Sequence, residues 1–414
     1  MPYELAKVFR AEAGRVLASL LVQCRDIELA EDALQDACVQ ASEKWAQNGI
    51  PSKPAAWLLT VSRRRLIDSL RKSKRQHDQL VVSAVHGALG DNAELEEGGK
   101  EARQNIPDER LKLIFTCCHP AINQSARVAL TLKTLCGLSI SEIARAYLVS
   151  EAAMSKRITR AKRKIRDAGI AYQIPDKASL PNRLPSVLAV VYLIYNESYT
   201  AYEGQSLSRQ DLTNEAIRLA RLLLKLLPRP EVAGLLALIL FHHARNGARI
   251  SADKNYVPLE FQNRELWDKQ QIAEAKKILL AGMMAGKADK YRVQAAISAL
   301  HCEANTWADT DWIQIELLYK LLYKMEPSPV IALNHSIALA NLGELEQAVT
   351  RMQDLSTTLA DYQPYHAARA DLQTKLGDTQ KAERSYKMAI SLSRNAIEEQ
   401  YLQTRLNLLH AKAD

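Results

Sequence analysis

A dense run of basic side chains near position 160 is the strongest chemical signal in the sequence. Seven lysines and arginines fall within eleven residues, and Glu151 is the last acidic residue before them. Like charges at neighbouring helical positions repel one another, so an uncompensated row favours a polyanionic partner such as a nucleic acid. The seven are Lys156, Arg157, Arg160, Lys162, Arg163, Lys164 and Arg166.

The residues around this run predict two short helices joined by a tight turn at residues 148–149. Ser139 and Glu142 form the pattern of a capping box on the first helix, and Ser150 is a suitable N-cap for the second. Each helix has an apolar stripe, and the basic residues fall on the outward face of the second. This arrangement is typical of a helix-turn-helix that reads DNA, although a merely basic surface helix is the alternative. The inward positions are Ile140, Ile143, Ala144 and Tyr147, then Met154, Ile158, Ala161 and Ile165.

A second basic helix is predicted from Trp57 to Arg75, after a loop at residues 47–56 marked by Gly and Pro. Leu59, Leu66 and Leu70 point inward, and the basic side chains cover the other face. Such a helix beside a loop suits melted or single-stranded DNA, because cations follow the phosphates and a pocket can hold an unstacked base. Trp57 is predicted to be a core residue rather than a stacking platform. The outward residues are Arg63, Arg64, Arg65, Asp68, Arg71, Lys72, Lys74 and Arg75.

An acidic face is predicted on the helix that precedes this loop. The apolar face of that helix runs from Ala30 to Trp45. The acidic face is either simply solvated or a docking surface for a partner with basic helices. Its residues are Glu31, Asp32, Gln35, Asp36 and Glu43.

Composition favours an all-α protein of about two to four domains. The 414 residues are 47% hydrophobic, which is ample for packed cores, and good helix formers dominate over aromatic and β-branched residues. The net charge of +8 is clustered in the two basic helices. The sequence shows no apolar signal region and no membrane-spanning run, so a cytoplasmic protein without membrane contact is expected.

The six cysteines contain no C-x-x-C pair, so reduced core thiols are predicted rather than disulfides. Cys117, Cys118 and His119 invite comparison with a metal site. Adjacent cysteines cannot easily bind one zinc ion together, and no second ligand pair lies at a usable spacing. No metal ion and no cofactor are therefore predicted.

The end of the chain contains a repeat. Gly343 and Gly377 are 34 residues apart, as are Ala348 and Ala382, and a weaker copy covers residues 311–327. Helix, Gly-acid turn and helix at a period of about 34 residues is the tetratricopeptide pattern. Such arrays present a surface to a protein partner and seldom carry chemistry.

The helical stretch between the basic region and the repeats contains the residues that could form an active site if the protein were an enzyme. Asn196, Glu197, His242 and His243 are the candidates, but no nucleophile–base pair, phosphate loop or metal spacing accompanies them. Histidines that satisfy their hydrogen bonds at a helix end are the favoured interpretation. No catalytic residue is predicted.

Three stretches resemble one family in the right order. AEDALQDACVQASEKW and PAAWLLTVSRRRLIDSLRKSKR look like region 2 of an extracytoplasmic-function sigma factor of bacterial RNA polymerase, and LSISEIARAYLVSEAAMSKRITRAKRKI looks like its region 4. The absence of a region 3 between them is similar to the minimal layout of that group. PDERLKLIFTCCHP, NESYTAY, LILFHHAR and VPLEFQNRELWD resemble the subgroup with a long helical C-terminal extension carrying tetratricopeptide-like repeats.

The resemblance implies a role for each charged surface. Asp32, Gln35 and Asp36 would dock on the clamp helices of core RNA polymerase, and region 4 would meet its flap. The loop at residues 47–56 would capture a flipped base of the minus-ten promoter element. The family usually has an uncharged polar residue where Arg64 falls, so the base preference there is left open. The minus-ten residues would be Arg63, Arg64, Asp68, Arg71, Lys72 and Arg75.

The second helix of the helix-turn-helix would read the minus-thirty-five element. Its N-terminal half would enter the major groove, where arginine and lysine pair with guanine edges, and its C-terminal half would touch phosphates. The groove residues would be Glu151, Ala152, Ser155, Lys156, Arg157 and Arg160, and the phosphate residues Lys162, Arg163, Lys164 and Arg166.

The sequence therefore predicts an all-α sigma factor that performs no bond chemistry and is regulated by its own C-terminal extension, whose repeats bind a further protein. The rival hypothesis is a helix-turn-helix regulator with a repeat sensor that acts without polymerase. The expected domains are region 2 at 1–78, a linker at 79–106, region 4 at 107–170, a linker at 171–185, a helical extension at 186–304 and repeats at 305–414.

Overall fold

The computed structural model divides into two compact units, residues 1–197 (unit 1) and residues 198–414 (unit 2). Both units are helical, and the described residues contain no β-strand beyond one isolated bridge between Ile250 and Tyr256. The all-α prediction is confirmed. No helix among these residues is long and apolar enough to cross a bilayer. The structure describes residues 2–74, 109–147, 149–200, 207–251, 255–283, 286, 288–393 and 396–411.

Unit 1 begins with a bundle of three long helices. Asp26 caps the second of them, because its Oδ1 accepts hydrogen bonds from the backbone N–H groups of Glu28 (2.8 Å) and Leu29 (3.2 Å). The half-buried Trp57 ring packs edge-on against the buried Trp45 ring, with 5.3 Å between the centroids, so Trp57 lies at the edge of the core and not at its centre as predicted. The helices are α1 (Pro2–Cys24), α2 (Ile27–Asn48) and α3 (Pro54–Lys74).

A second group of helices completes unit 1. Its core contains Phe115, Leu130, Ile143 and Met154, all of them buried. Part of the segment predicted as a second linker is helical, because the last helix of the group already starts at Leu180. The helices are α4 (Arg110–Cys117), α5 (Gln124–Thr134), α6 (Ile140–Ala146), α7 (Glu151–Asp167) and α8 (Leu180–Thr200).

The two groups of unit 1 approach each other closely at two glycines. A Cβ atom at Gly14 of α1 would lie 2.7 Å from the carbonyl oxygen of Leu135. Gly137, which has a positive φ of 68°, would place a Cβ atom 3.3 Å from the Cα atom of Arg10. Larger side chains at Gly14 would force the two backbones apart.

Unit 2 is built around one helix, α10 (Pro230–Ala244), in which every residue from Val232 to Phe241 is buried. Eleven of its residues are buried, and Gly234 allows Arg292 of a neighbouring helix to pass within 2.6 Å of the position a Cβ atom would occupy. The helices of this part are α9 (Leu207–Leu226), α10 (Pro230–Ala244), α11 (Lys269–Met283) and α12 (Lys290–Glu303), with 3-10 turns at Asn246–Ala248, Leu259–Phe261 and Arg264–Leu266.

Helical hairpins with the predicted period follow. Gly343 and Gly377 adopt positive φ angles of 88° and 76° at the turn within each hairpin, which is why glycine suits both positions. Ala348 and Ala382 are fully buried at equivalent places. The helices are α13 (Trp312–Met325), α14 (Pro329–Asn341), α15 (Leu345–Asp354), α16 (Gln363–Lys375), α17 (Thr379–Leu392) and α18 (Ala396–Ala411).

Hydrogen bonds join equivalent positions of successive repeats. Lys375 Nζ lies 3.2 Å from Asn341 Oδ1, and Arg405 Nη2 lies 2.9 Å from Asp371 Oδ1, each pair being 34 residues apart in the chain. Helix α18 therefore occupies the place of the first helix of a further repeat. Its Leu402 and Leu406 are buried in the core that α17 also lines.

Candidate nucleic-acid interface

Helices α6 and α7 form the predicted helix-turn-helix. The capping box is present, since the Ser139 N–H donates to Glu142 Oε2 (2.7 Å) and the Glu142 N–H donates to Ser139 Oγ (3.1 Å). Ser150 Oγ accepts from the Ala153 N–H (3.2 Å) and begins α7. The whole inward row of α7 predicted from the sequence is buried: Met154, Ile158, Ala161 and Ile165.

The outward face of α7 presents most of the predicted DNA-contacting residues to solvent. Ser155, Arg157 and Lys162 are half-buried, and the other predicted DNA-contacting residues are exposed. Because the capped N-terminal end of α7 is also exposed, its first turns are accessible to a base edge in a groove. The exposed set is Glu151, Ala152, Lys156, Arg160, Arg163 and Lys164.

Lys162 does not lie on this outward face, and its predicted orientation was wrong. Its side chain is 15% exposed, and its Nζ lies 2.6 Å from Glu31 Oε2 of α2. One helical turn later, Arg166 Nη1 lies 3.0 Å from Glu28 Oε2. Lys162 follows the buried Ala161 at the edge of the apolar row, and its ion pair with Glu31 of α2 holds the side chain there. We call these two contacts the α2–α7 ion pairs.

The polar face of α2 is consequently divided. Glu28 and Glu31 face α7, whereas Asp32, Gln35 and Asp36 are exposed. Val39, one turn further along, is also exposed, at 55%. The exposed residues form a continuous acidic surface with an apolar end, and they coincide with the predicted polymerase-binding set.

The basic face of α3 is a separate surface. Arg63, Arg64, Asp68 and Arg71 are all exposed, whereas Leu59 and Leu66 are buried, as the pattern predicted. The loop before α3 is shorter than expected, because α2 continues to Asn48 and α3 starts at Pro54, whose fixed φ suits the first helical position. The side chain of Lys72, and the predicted Arg75 and linker at 79–106, lie outside the described residues.

Two further contacts hold the helix-turn-helix against the first bundle of unit 1. Arg10 Nη2 of α1 lies 2.5 Å from Glu142 Oε1. The Tyr172 hydroxyl lies 2.8 Å from the carbonyl oxygen of Ala18 and 3.2 Å from that of Glu109. Burial in this position raises the pKa of Tyr172, so the group stays a neutral hydrogen-bond donor. Tyr172 thus fixes the segment after α7 to α1.

Family models match the same regions of the chain. Residues 8–76 match sigma-70 region 2, residues 112–165 match sigma-70 region 4, and residues 183–283 match a family of unknown function, DUF6596. Both sigma regions are present in the right order, and each covers one of the basic surfaces. The chain belongs to the sigma-70 family. It is of the extracytoplasmic-function type with a helical C-terminal extension.

Two relatives support this assignment at different lengths. An uncharacterised protein of Rhizobium meliloti (strain 1021) is 39% identical over 96% of this chain and 94% of its own length. A protein of Xanthomonas campestris pv. campestris, named a probable RNA polymerase sigma factor RfaY, is 27% identical over 39% of each chain. Sigma-70 family proteins are transcription initiation factors rather than enzymes.

The adjacent cysteines of this sigma-70 protein are buried beside threonines. Cys117 Sγ lies 3.3 Å from Thr134 Oγ1, and Cys118 Sγ lies 3.6 Å from Thr131 Oγ1. Burial raises the pKa of Cys118 to about 11 and raises that of Cys117 further, so both are protonated thiols near neutral pH. A protonated thiol is a poor metal ligand. No group of three or more metal-binding side chains occurs within the described residues.

The paired histidines at the end of α10 have hydrogen-bond partners. His242 Nε2 lies 3.0 Å from Ser298 Oγ, and His243 Nδ1 lies 2.8 Å from Gln271 Oε1. The prediction of satisfied histidines at a helix end is confirmed.

The sequence reasoning missed the acidic partners of α7. Glu28 and Glu31 are three residues apart on α2, and Lys162 and Arg166 are four apart on α7, so each pair lies on one face of its helix. This complementary spacing was visible in the sequence. The sequence did not show that the two faces meet, because the partners are separated by 131 and 138 residues.

Proposed function

We propose that this sigma-70 protein binds core RNA polymerase and directs it to promoters by contacting the minus-ten element through α3 and the minus-thirty-five element through α7. The observation that carries this is the presence, in one unit, of two exposed basic helices and one exposed acidic surface at the positions of regions 2 and 4. Chromosomal DNA and polymerase would place this activity in the bacterial cytoplasm. The protein would perform no bond chemistry.

Asp32, Gln35 and Asp36 would form the contact with the polymerase clamp. They remain exposed while Glu28 and Glu31 are paired, and opposite charge on a partner would steer association to them. Reversing Asp32 and Asp36 to Lys should abolish co-purification with core polymerase. Glu346→Lys, an exposed reversal on α15, is the matched control and should leave it unchanged. Intact co-purification of the double variant would instead favour the polymerase-independent regulator.

Transcription tests the promoter assignment directly. Purified protein and core polymerase would be given genomic fragments in a run-off assay, with core polymerase alone as the control. Discrete start sites that appear only with the added protein would support the proposal. Duplex DNA binding without any start site would contradict it.

Promoter binding would require unit 1 to open. The two promoter elements are about 25 base pairs apart, or roughly 85 Å at about 3.4 Å per base pair. Helix α7 contacts α2 directly at 2.6 Å, so regions 2 and 4 must separate before they reach both elements. The 34 residues from 75 to 108 have a covalent reach of at most about 110 Å, which permits that separation. We infer that the α2–α7 ion pairs hold the free protein closed.

The C-terminal extension would act as the regulator of this opening. A truncation that tests it should end at Glu197 rather than near residue 180. Arg183 Nη2 donates to the Phe115 carbonyl (2.9 Å) and Ser186 Oγ donates to the Cys118 carbonyl (2.7 Å), so a cut near 180 would damage unit 1 itself. Run-off activity that differs from the full-length protein would support regulation in cis. Equal run-off activity of the truncated and full-length proteins at every promoter would show that the C-terminal extension does not regulate opening.

A further inference from the structure

Four segments of unit 2 converge on a small polar cluster. They are the end of α10, the turn after it, the 3-10 turn at Arg264–Leu266 and the end of α12. The Asp268 N–H donates to the Ala244 carbonyl (2.9 Å), and Arg264 Nη1 donates to the carbonyl groups of His301 and Ala304 (2.7 Å for Ala304). These hydrogen bonds hold the four segments together, but several other polar atoms of the same segments have no hydrogen-bond partner.

Arg245, Arg264, Trp267 and His301 form what we call the arginine–tryptophan cluster. The Arg264 guanidinium lies over the Trp267 ring, 4.7 Å from its centroid. Arg245 is 7% exposed and Trp267 is 2% exposed. Burial, followed by the charges of Arg245 and Arg264, lowers the pKa of His301 to about 3, so this histidine is neutral and the site charge comes from arginine.

Several donors in this cluster have no acceptor. Arg245 Nε, Arg264 Nη2 and Trp267 Nε1 are buried and make no hydrogen bond within the described part of the chain. Asn246 Oδ1 and His301 Nδ1 are also buried without a partner there. An unsatisfied buried donor costs about 1–3 kcal/mol, and more when the group is charged. Three unsatisfied donors, together with two further unsatisfied polar atoms on neighbouring segments, are unusual for a purely structural core.

The nearby carboxylates form no ion pair with these arginines, although Asp309 is close enough to Arg264 to favour its charged form. Asp268 Oδ1 accepts from the Gln271 N–H (2.9 Å), and Asp309 Oδ2 accepts from the N–H and hydroxyl of Thr306 (3.0 and 2.8 Å). Neither Arg245 nor Arg264 forms an ion pair with any residue the structure describes. Buried guanidinium groups without a carboxylate carry a desolvation cost that a bound anion would offset.

We propose that the arginine–tryptophan cluster is a binding site for a small oxyanion, a carboxylate or phosphate group carried by a small molecule. The guanidinium nitrogens and the indole N–H are donors of the kind that bind oxyanion oxygens in other anion sites, and Arg264 and Trp267 are in direct contact. Asn246 and His301 add two polar atoms that fit a hydroxyl or amine elsewhere on the ligand. The depth of the donors excludes a polymer backbone such as DNA, so this site is separate from the promoter surfaces.

Isothermal titration calorimetry on the full-length protein tests the site without polymerase or DNA, so its outcome is independent of the promoter proposal. Inorganic phosphate and succinate would be titrated separately at constant ionic strength, with chloride as the control anion. Saturable one-to-one binding of either oxyanion is expected, and the anion that binds distinguishes a phosphate ligand from a carboxylate ligand. No saturable heat with either would overturn the proposal.

Two variants locate the binding. Trp267→Phe keeps one aromatic ring under Arg264 and removes the indole donor together with the pyrrole part of the side chain, and it should weaken binding about tenfold. Arg245→Gln should weaken it further. Arg221→Gln, which breaks an exposed pair with Glu274 in the same unit, is the matched control and should bind like the wild type. If Arg245→Gln fails to fold by circular dichroism, Trp267→Phe decides alone. Wild-type affinity in Trp267→Phe would overturn the assignment.

Discussion

In unit 1 Lys162 and Arg166 of α7 are paired with carboxylates of α2, whereas in unit 2 the buried Arg245 and the half-buried Arg264 form no ion pair with any described residue. The two regions therefore differ in how a further anion would bind to their basic side chains. A partly exposed pair such as Arg166–Glu28 contributes about 0–1 kcal/mol, so DNA phosphates can compete for the arginine. A buried arginine without a carboxylate has no partner that another anion must displace. A bound anion would therefore lower the free energy of such an arginine without breaking an existing ion pair. The paired residues of unit 1 suit a contact that opens when DNA binds. The unpaired arginines of unit 2 suit a site for a small anion.

The largest effect on the stability of unit 1, and hence on the contacts between its two groups of helices, is expected from Gly14→Val. The added Cβ would meet the Leu135 carbonyl oxygen at 2.7 Å, in backbone that cannot move aside cheaply. We expect unit 1 to lose about 1–3 kcal/mol of stability, as overpacked cores do. Chemical denaturation would measure this. Ala11→Val, an exposed position on the same helix, is the control. An unchanged unfolding midpoint would show that α1 and the C-terminal end of α5 do not need their close contact.

The next effect separates the exposed charges of α7 from the paired ones. Arg157→Ala should relax preference at one position of the upstream element by about 1–3 kcal/mol, because it lies in the groove-facing half of the helix. Lys164→Ala should weaken all sequences alike and reduce the salt dependence by about one unit. Binding to a panel of single-base variants at several salt concentrations measures both. Identical losses on every sequence from both changes would contradict the division of roles.

A smaller effect is expected when one α2–α7 ion pair is broken. Glu31→Gln removes the charge that holds Lys162 and leaves Lys162 free for phosphate. If the pair contributes about 1 kcal/mol to closure, affinity of the polymerase-free protein for upstream-element duplex should rise about fivefold. Fluorescence anisotropy measures it. Glu12→Gln on α1 controls for net charge. Unchanged or weaker binding would mean that the pair does not restrain α7.

The smallest effect concerns pH at the Arg10–Glu142 contact. Burial alone would raise the pKa of Glu142, but the Ser139 hydrogen bonds and Arg10 together hold it below its usual 4.5. A carboxyl whose pKa is lower in the folded state adds stability above that value and loses it as the pH falls through the folded pKa. The stability difference between wild type and Glu142→Gln should therefore be constant near neutral pH and shrink below about pH 4.5. Urea denaturation of both proteins across this pH range measures the difference in unfolding free energy. A difference that persists in acid would show that the Glu142 charge is not its cause.

Local features of the fold were predictable because their cause is local. The Ser139–Glu142 capping box, the Ser150 cap and the buried row of α7 follow from helical spacing, and the turns at Gly343 and Gly377 follow from the repeat. Lys162 shows where this reasoning ends, since only the packing of α2 decides which way a residue at the edge of the stripe turns. The arginine–tryptophan cluster was not predicted, because its four residues come from three segments that share no periodicity.

The hydrogen bonds between equivalent repeat positions have a consequence for how the array can change in length. The two bonds use different positions of the repeat, because the residue 34 after Lys375 is Leu409 and the residue 34 before Asp371 is Ile337. Each bond therefore belongs to one junction between repeats and does not recur at the next. A 34-residue module inserted at either junction would separate the bonded residues, so such an insertion would need new polar partners at its edges.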